Sequence, residues 1–209
     1  MNNDPYKHVA AIYDRIFEPM NKGLRFMGLR MFTPSRDSSI LDIGCGTGLH
    51  LEMYRNFGCS LYGIDTSPSM LEKAKARLGK NVDLRKADAT EIPFNSDFFD
   101  LVLCMLVLHE MDDNIRYNVL KEMHRVVKQN GRVLVIDFHA GKARLPLGSL
   151  FKTIIFISEF SAGSRHFRNY RQFMSSGGLP TLIDRSQMKI EKKKITDNGT
   201  MALYLVVPA

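Results

Sequence analysis

An α/β fold built on a mostly parallel sheet is predicted by three features of this 209-residue chain. Short β-branched or leucine-rich runs alternate with helical patterns, a glycine-rich turn follows the first run, and acidic residues close the first two. The runs are Ser39–Ile43, Ser60–Asp65, Val82–Lys86, Phe99–Met105 and Arg132–Asp137. Helices are expected between them at Thr47–Asn56, Ser67–Leu78 and Asp112–Lys128. The second has Thr66 or Ser67 to cap it and Pro68 at an early position. Gly79 and Gly131 are natural stops for the second and third helices.

The outer parts frame this core. Tyr6 to Phe32 alternates aromatic and basic residues at helical spacing, so residues 1–35 read as an N-terminal helical cap on a core at 36–140. An acceptor-side insertion is expected at 141–183, with an amphipathic stretch (SLFKTIIFISEF), a basic-aromatic stretch (SRHFRNYRQFM) and a glycine turn (SSGGLP). Gln187–Ile195 and Thr200–Val207, joined by Asp197-Asn198-Gly199, read as a terminal hairpin within 184–209. Two more strands make seven, and all four parts belong to one domain.

Composition excludes several classes. Three scattered cysteines form neither a disulfide framework nor a C-x-x-C pair, which favours a reducing compartment. MNNDPYKHVAAIYD lacks the apolar run of a secretory signal. The most apolar stretch, Leu145 to Phe160, is broken by Pro146, Lys152 and Glu159, whereas a bilayer span needs about 20 apolar residues. A cytoplasmic protein without a transmembrane helix is expected. The net charge of +7 is spread along the chain, and KIEKKKI reads as an exposed, partly alternating strand with lysines on its wet face.

The ligand signal starts at ILDIGCGTG (40–48). A P-loop would need a lysine after its glycines, and a dinucleotide fingerprint a glycine where Leu49 stands. Asp42, just before the turn, repels a pyrophosphate and attracts a ligand carrying an ammonium or sulfonium. Asp65, at the end of the second strand, can accept both ribose hydroxyls of an adenosine-type ligand. Asp88 and Ala89, after the third strand, can reach an adenine edge.

Five ordered segments, ILDIGCGTG, YGIDTSPSML (62–71), KADATEIPF (86–94), FDLVLCMLVLHEM (99–111) and LKEMHRVVKQNGRVLVIDF (120–138), closely resemble the class I S-adenosylmethionine-dependent methyltransferases. The resemblance covers about residues 6–138 and implies a Rossmann-like class I methyltransferase fold, with helices on both faces of the seven-stranded sheet. It implies that Gly44, Cys45, Gly46 and Gly48 pass along the methionine part of S-adenosyl-L-methionine (product S-adenosyl-L-homocysteine), with Asp42 near its ammonium. Asp65 would hold the ribose, Thr66 and Met70 flank the adenine, and Asp88 and Ala89 meet its edge. Cys104, Met105 and Leu106 would lie near the sulfonium, and Tyr13 would close over the cofactor. Bland roles compete at some positions. Met70 and Cys104 also suit the core, and Gly48 also suits tight helix packing.

Methyl transfer from a sulfonium needs alignment and, for some acceptors, a base. His109, after the fourth strand, and His139, after the fifth, are the best-placed bases, while HEMDD at 109–113 is not the zinc motif H-E-x-x-H, so no metal is expected. The cap and insertion combine apolar residues with Lys22, Arg25, Arg30, Arg165, Arg168 and Arg171. That suits a small lipophilic or anionic acceptor, delivered from solution or from a membrane surface. HFRNYRQFMSSGGLP with the hairpin loosely resembles quinone-biosynthesis C-methyltransferases, and IYDRIFEPMNKGLR resembles bacterial phospholipid N-methyltransferases. A protein or RNA methyltransferase, or a non-catalytic cofactor-binding module, is the competing reading. Against a nucleic-acid base acceptor, CMLVLHEM stands where such enzymes carry an N/D-P-P-Y/F motif.

Overall fold

A computed structural model describes residue 4 and residues 13–209, without the side chains of residues 13, 16, 17 and 20. The first part of the expected N-terminal cap lies outside the described residues. In chain order the elements are α1 (Tyr13–Met31), β1 (Ser39–Ile43), α2 (Leu49–Glu52), β2 (Ser60–Asp65), α3 (Pro68–Leu78), β3 (Val82–Lys86) and β4 (Phe99–Met105). They continue with α4 (Asp113–Val126), β5 (Val127–Phe138), α5 (Leu147–Ser161), α6 (Ser164–Ser175), α7 (Leu179–Asp184), β6 (Met188–Thr196) and β7 (Met201–Pro208). The strands form one sheet in the order β3-β2-β1-β4-β5-β7-β6, with β1 to β5 parallel and β7 antiparallel to both neighbours.

Apolar residues at both alternating sets of positions along the central strands explain why helices cover both faces. Leu41, Ile43, Val102, Cys104, Val133 and Val135 join Val119, Leu120 and Met123 of α4 and Phe173 of α6 in one core. Ile40, Leu101, Leu103, Leu134 and Ile136 join Leu24 of α1, Leu51 of α2, and Leu71 and Leu78 of α3 in the other. A Cβ on Gly28 would come within 2.7 Å of Leu134, which shows how closely α1 lies on the sheet.

The ends of α3 follow local chemistry. The Ser67 hydroxyl accepts from Met70 N at 3.2 Å, and Gly79 closes the helix at φ +77°. Asp112 caps α4 by accepting from Ile115 N.

Three expectations change. The helix at Thr47–Asn56 shrinks to the single turn α2, followed by a 3₁₀ turn at Arg55–Phe57. Gly131 stops no helix, because β5 starts directly at Val127, before it. Instead β5 slips register against β4 between Phe99 and Leu101. There a Cβ on Gly131 would meet Phe99 O at 2.8 Å and Lys128 O at 3.0 Å. Finally, β6 is an edge strand exposed along nearly its whole length, with no wet-and-dry alternation.

Candidate functional site

The three glycines of the first turn meet three different surroundings. All have positive φ, at +67° for Gly44, +53° for Gly46 and +81° for Gly48. That conformation favours residues without a Cβ. A Cβ on Gly44 would strike Val107 at 2.5 Å, and one on Gly48 would meet Leu78 at 2.8 Å and Ala74 at 3.2 Å. Those two glycines therefore serve packing within the protein. At Gly46 no atom of the described residues lies within 4 Å of such a Cβ, so its bare backbone faces open space among them. Among the described residues, the turn leaves room for a ligand at that glycine.

Two adjoining cavities open at that point and share Gly44, Gly46, Met105 and Leu106. The smaller holds about 60 Å³ and is lined by Asn21, Arg25, Asp42, Cys45, Thr47 and His50, among others. Burial pushes the Asp42 carboxyl up to about 8, opposed by the nearby Arg25 guanidinium and reinforced by Asp65. Burial, then Arg25, pushes His50 down to about 3, so its ring is neutral. Both His50 ring nitrogens and Arg25 Nε are buried and find no hydrogen-bond partner among the described residues. Buried polar atoms are rarely left so. One carboxyl beside orphaned donors matches the two charges of an amino-acid tail, and the fit supports the cofactor expected from the sequence.

The larger cavity measures about 630 Å³. Asp65, Thr66, Met70, Asp88 and Ala89 line one end of it. Asp65 Oδ2 accepts from Gly46 N at 2.9 Å, and its Oδ1 accepts from Ser67 N at 2.8 Å. Burial raises the Asp65 carboxyl despite these bonds. Asp88 Oδ1 is held by Thr90 through its N–H and hydroxyl, both at 2.8 Å. Met70 is 2% exposed, so it serves the core and the cavity wall together. Leu106 sits at φ +57°, an outlier for a bulky residue that is worth of order 1–3 kcal/mol of backbone strain. Strain of this kind gathers at ligand sites.

Other expected site residues are placed elsewhere. Cys104 is sealed in the core below the sheet and lines neither cavity, because the pleat turns it away from Met105; burial pushes its thiol well up. His139 also lines neither cavity, and burial with Lys152 and Lys193 holds it below the ordinary range. The Tyr13 side chain lies outside the described residues.

His109 is buried, with Nδ1 at 2.7 Å from Asp137 Oδ1 and its backbone N–H donating to Asp137 Oδ2 at 3.2 Å. Its Nε2 lies 3.6 Å from Glu159 Oε2 and 4.0 Å from Glu110 Oε1. These carboxylates, Asp137 foremost, outweigh burial and raise His109 to about 9. Its ring is protonated at neutral pH and is no base there. Glu110 and His166 line the large cavity instead. Loss of water raises the Glu110 carboxyl, against the pull of His109 and His166.

Sequence reasoning passed over Glu159, Asn169 and Arg116, which hold this region together. Arg116, at 0% exposure, donates to Leu108 O at 2.9 Å and Asn169 O at 2.6 Å, and Asn169 Nδ2 donates to Glu110 O at 2.7 Å. Only an arginine inside an apolar helix face could have signalled it.

Known proteins resemble both the sequence and this arrangement. The methyltransferase domain family matches residues 41–135. A phosphatidylethanolamine N-methyltransferase of Cereibacter sphaeroides is 30% identical over 149 residues, covering 69% of this chain and 71% of that protein. A 2-phytyl-1,4-naphtoquinone methyltransferase of Nostoc punctiforme is 29% identical over 146 residues, and the match spans 64% of this chain and 63% of that relative, slightly under two thirds of its length. Among solved structures, a SAM dependent methyltransferase from Aquifex aeolicus superposes with a TM-score of 0.67 at 18% identity, over 96% of this chain and 100% of that one. That likeness concerns the fold.

Proposed function

This chain belongs to the class I S-adenosylmethionine-dependent methyltransferases, and from that premise we propose that it methylates a small lipophilic acceptor taken from an anionic membrane surface. When bound, the cofactor supplies a methyl group on a cationic sulfur, which an acceptor nucleophile takes while the carbon–sulfur electron pair returns to sulfur. Asp42 receives the cofactor's ammonium, Arg25 and His50 its carboxylate, and Asp65 its ribose hydroxyls. Thr66, Met70, Asp88 and Ala89 border the adenine. Glu110, at the wall of the larger cavity, is the candidate base for an acceptor that must lose a proton. In this reading His109 positions Glu110 and takes no proton itself.

The observation that carries the acceptor class is the continuity between this cavity and α5. Ala162, Gly163, Ser164, Arg165 and His166 form its far wall, directly after α5. Leu147, Leu150, Ile154, Phe156, Ile157 and Phe160 of α5 stand exposed. Lys142, Arg144, Arg165, Arg168 and Arg171 are exposed around them, while the acid of this segment, Glu159, is buried. An apolar helix in a basic rim fits an anionic interface, each cation contributing about 1 kcal/mol near the lipid surface. The names of the two relatives, one acting on a phospholipid and one on a phytylated naphthoquinone, point the same way. Among the described residues no helix is long and apolar enough to cross a membrane.

Incubation with labelled S-adenosylmethionine and fractionated cell extract should send label into the lipid fraction. Label confined to protein or RNA would refute the acceptor class. The chain should sediment with vesicles containing anionic lipid and dissociate at high salt. Ile154→Asp with Phe160→Asp should abolish sedimentation while leaving the cofactor's effect on melting intact.

Asp42 gives a pH prediction. Its free carboxyl, at about 8, is protonated at neutral pH, and pairing with the cofactor's ammonium favours the ionised form. Cofactor binding should therefore release a proton and strengthen as pH rises from about 5.5 to 7.5. For folding alone the sign is opposite: the folded state holds the extra proton, so stability from this group is full below about 4 and fades as pH rises through about 8. Calorimetry in two buffers of different ionisation enthalpy reads the proton directly. Identical heats would remove Asp42 from this role.

A further inference from the structure

The fold gathers His109 from the turn after β4, Glu159 near the end of α5 and His166 in the first turn of α6. One nitrogen or oxygen from each lies within 4.8 Å of the other two. Glu159 Oε2 is 3.6 Å from His109 Nε2 and 2.5 Å from His166 Nε2. Donor atoms around one tetrahedral ion, bound at about 2.0–2.2 Å, stand roughly 3.4 Å apart. Widening the His166–Glu159 contact by about an ångström brings that pair to the required spacing, and the His109–Glu159 pair is already there, while the two histidine donors lie within 4.8 Å.

Asp137 is the second observation. Its Oδ1 lies 2.7 Å from His109 Nδ1, and the His109 backbone N–H donates to its Oδ2. With the Nδ1 proton held by that carboxylate, an incoming cation displaces the other proton, from Nε2, whose lone pair then lies on the side of Glu159 and His166. Histidines that bind metals are commonly oriented from behind in this way.

We propose that His109, Glu159 and His166 form a site for one divalent transition-metal ion of the zinc type, oriented by Asp137 and open toward the cavity that Glu110 and His166 line. Two imidazoles and one carboxylate suit such an ion, whereas magnesium and calcium prefer all-oxygen sites. The ion ties α5 and α6 to the turn after β4, so it fixes the helices at the acceptor end of the cavity. The site goes beyond the methyl-transfer reading, and testing it needs no acceptor.

Tag-free full-length protein equilibrated with Zn²⁺ and passed through a desalting column should keep one equivalent by elemental analysis. Co²⁺ should give the visible absorption of a low-symmetry nitrogen–oxygen site, which Zn²⁺ abolishes and excess Mg²⁺ leaves unchanged. Glu159→Gln and His166→Gln, tested separately, should each lose the retained ion and the Co²⁺ band. Their melting temperature should still rise with S-adenosylhomocysteine, which shows a folded chain and an intact cofactor site. No retained metal in the wild type overturns the proposal and leaves the cluster an ion-paired latch. Equal retention by the wild type and a variant that still responds to S-adenosylhomocysteine overturns it too.

Discussion

Replacing Asp65 with alanine is expected to abolish the rise in melting temperature that S-adenosylmethionine or S-adenosylhomocysteine gives the wild-type chain. Asp65 stands at the end of β2, and its two oxygens accept from Gly46 N and Ser67 N. It thus shapes the glycine turn, and its carboxylate keeps acceptor capacity for the ribose that the proposed site would hold. Hydrogen bonds to a charged partner contribute about 1.5–3 kcal/mol each, so losing two weakens binding about 100- to 10,000-fold. At a hundred times the dissociation constant a ligand stabilises the fold by about 2.7 kcal/mol. In a chain of this size that is about 5–11 °C, and the variant should show almost none of it. Asp65→Asn keeps one acceptor oxygen and so separates damage to the turn from loss of the ribose contact. A full shift in Asp65→Ala would end the assignment of this carboxylate to the ribose.

The second large effect falls on stability, at a residue with no expected role. Arg116 lies fully inside the protein between α4, the turn at Leu108–Glu110 and α6. Its guanidinium carbon is 5.2 Å from the Phe173 ring centre, and its Nε and Nη2 donate to Leu108 O and Asn169 O. Arg116→Met keeps most of the volume and deletes the donors. Two charge-assisted hydrogen bonds to backbone carbonyls are lost, although Leu108 O still accepts from Met111 N, at about 1.5–3 kcal/mol each before that compensation. A loss near 3 kcal/mol lowers the melting temperature by about 6–12 °C. The cofactor-induced shift should survive, since Asp42, Asp65 and the glycine turn are held by other elements. Thermal denaturation with and without S-adenosylhomocysteine measures both quantities. A fall below about 2 °C would show that the buried guanidinium contributes little net stability.

How far the sequence could be read depended on the range of the interactions involved. The first four strands keep their expected bounds, from Ser39–Ile43 to Phe99–Met105, because each is a short run, apolar in β1, β2 and β4, bounded by local turn and cap residues. Asp42, Gly46 and Asp65 were legible for the same reason: each sits at a fixed offset from a strand end, and the fold brings those ends together. The reading failed where one pattern served two structures. Gly131 looked like a helix stop but relieves a clash in a slipped strand pair, and the helical pattern after Thr47 extends past the single turn that fits beneath α3.

The sequence by itself determined the sheet, the family and which strand-end residues line the cavities, because those depend on strand ends and on a turn closed by local backbone geometry. Only the tertiary structure decided which residues meet around the far side of the larger cavity. It separated His139 from the cavity, buried Cys104, and paired His109 with Asp137, Glu159 and His166 across three elements. The physical reason is that the protonation of His109 and the chemistry of its cluster are set by burial and by carboxylates 28 and 50 residues away along the chain. No spacing in the sequence encodes those distances.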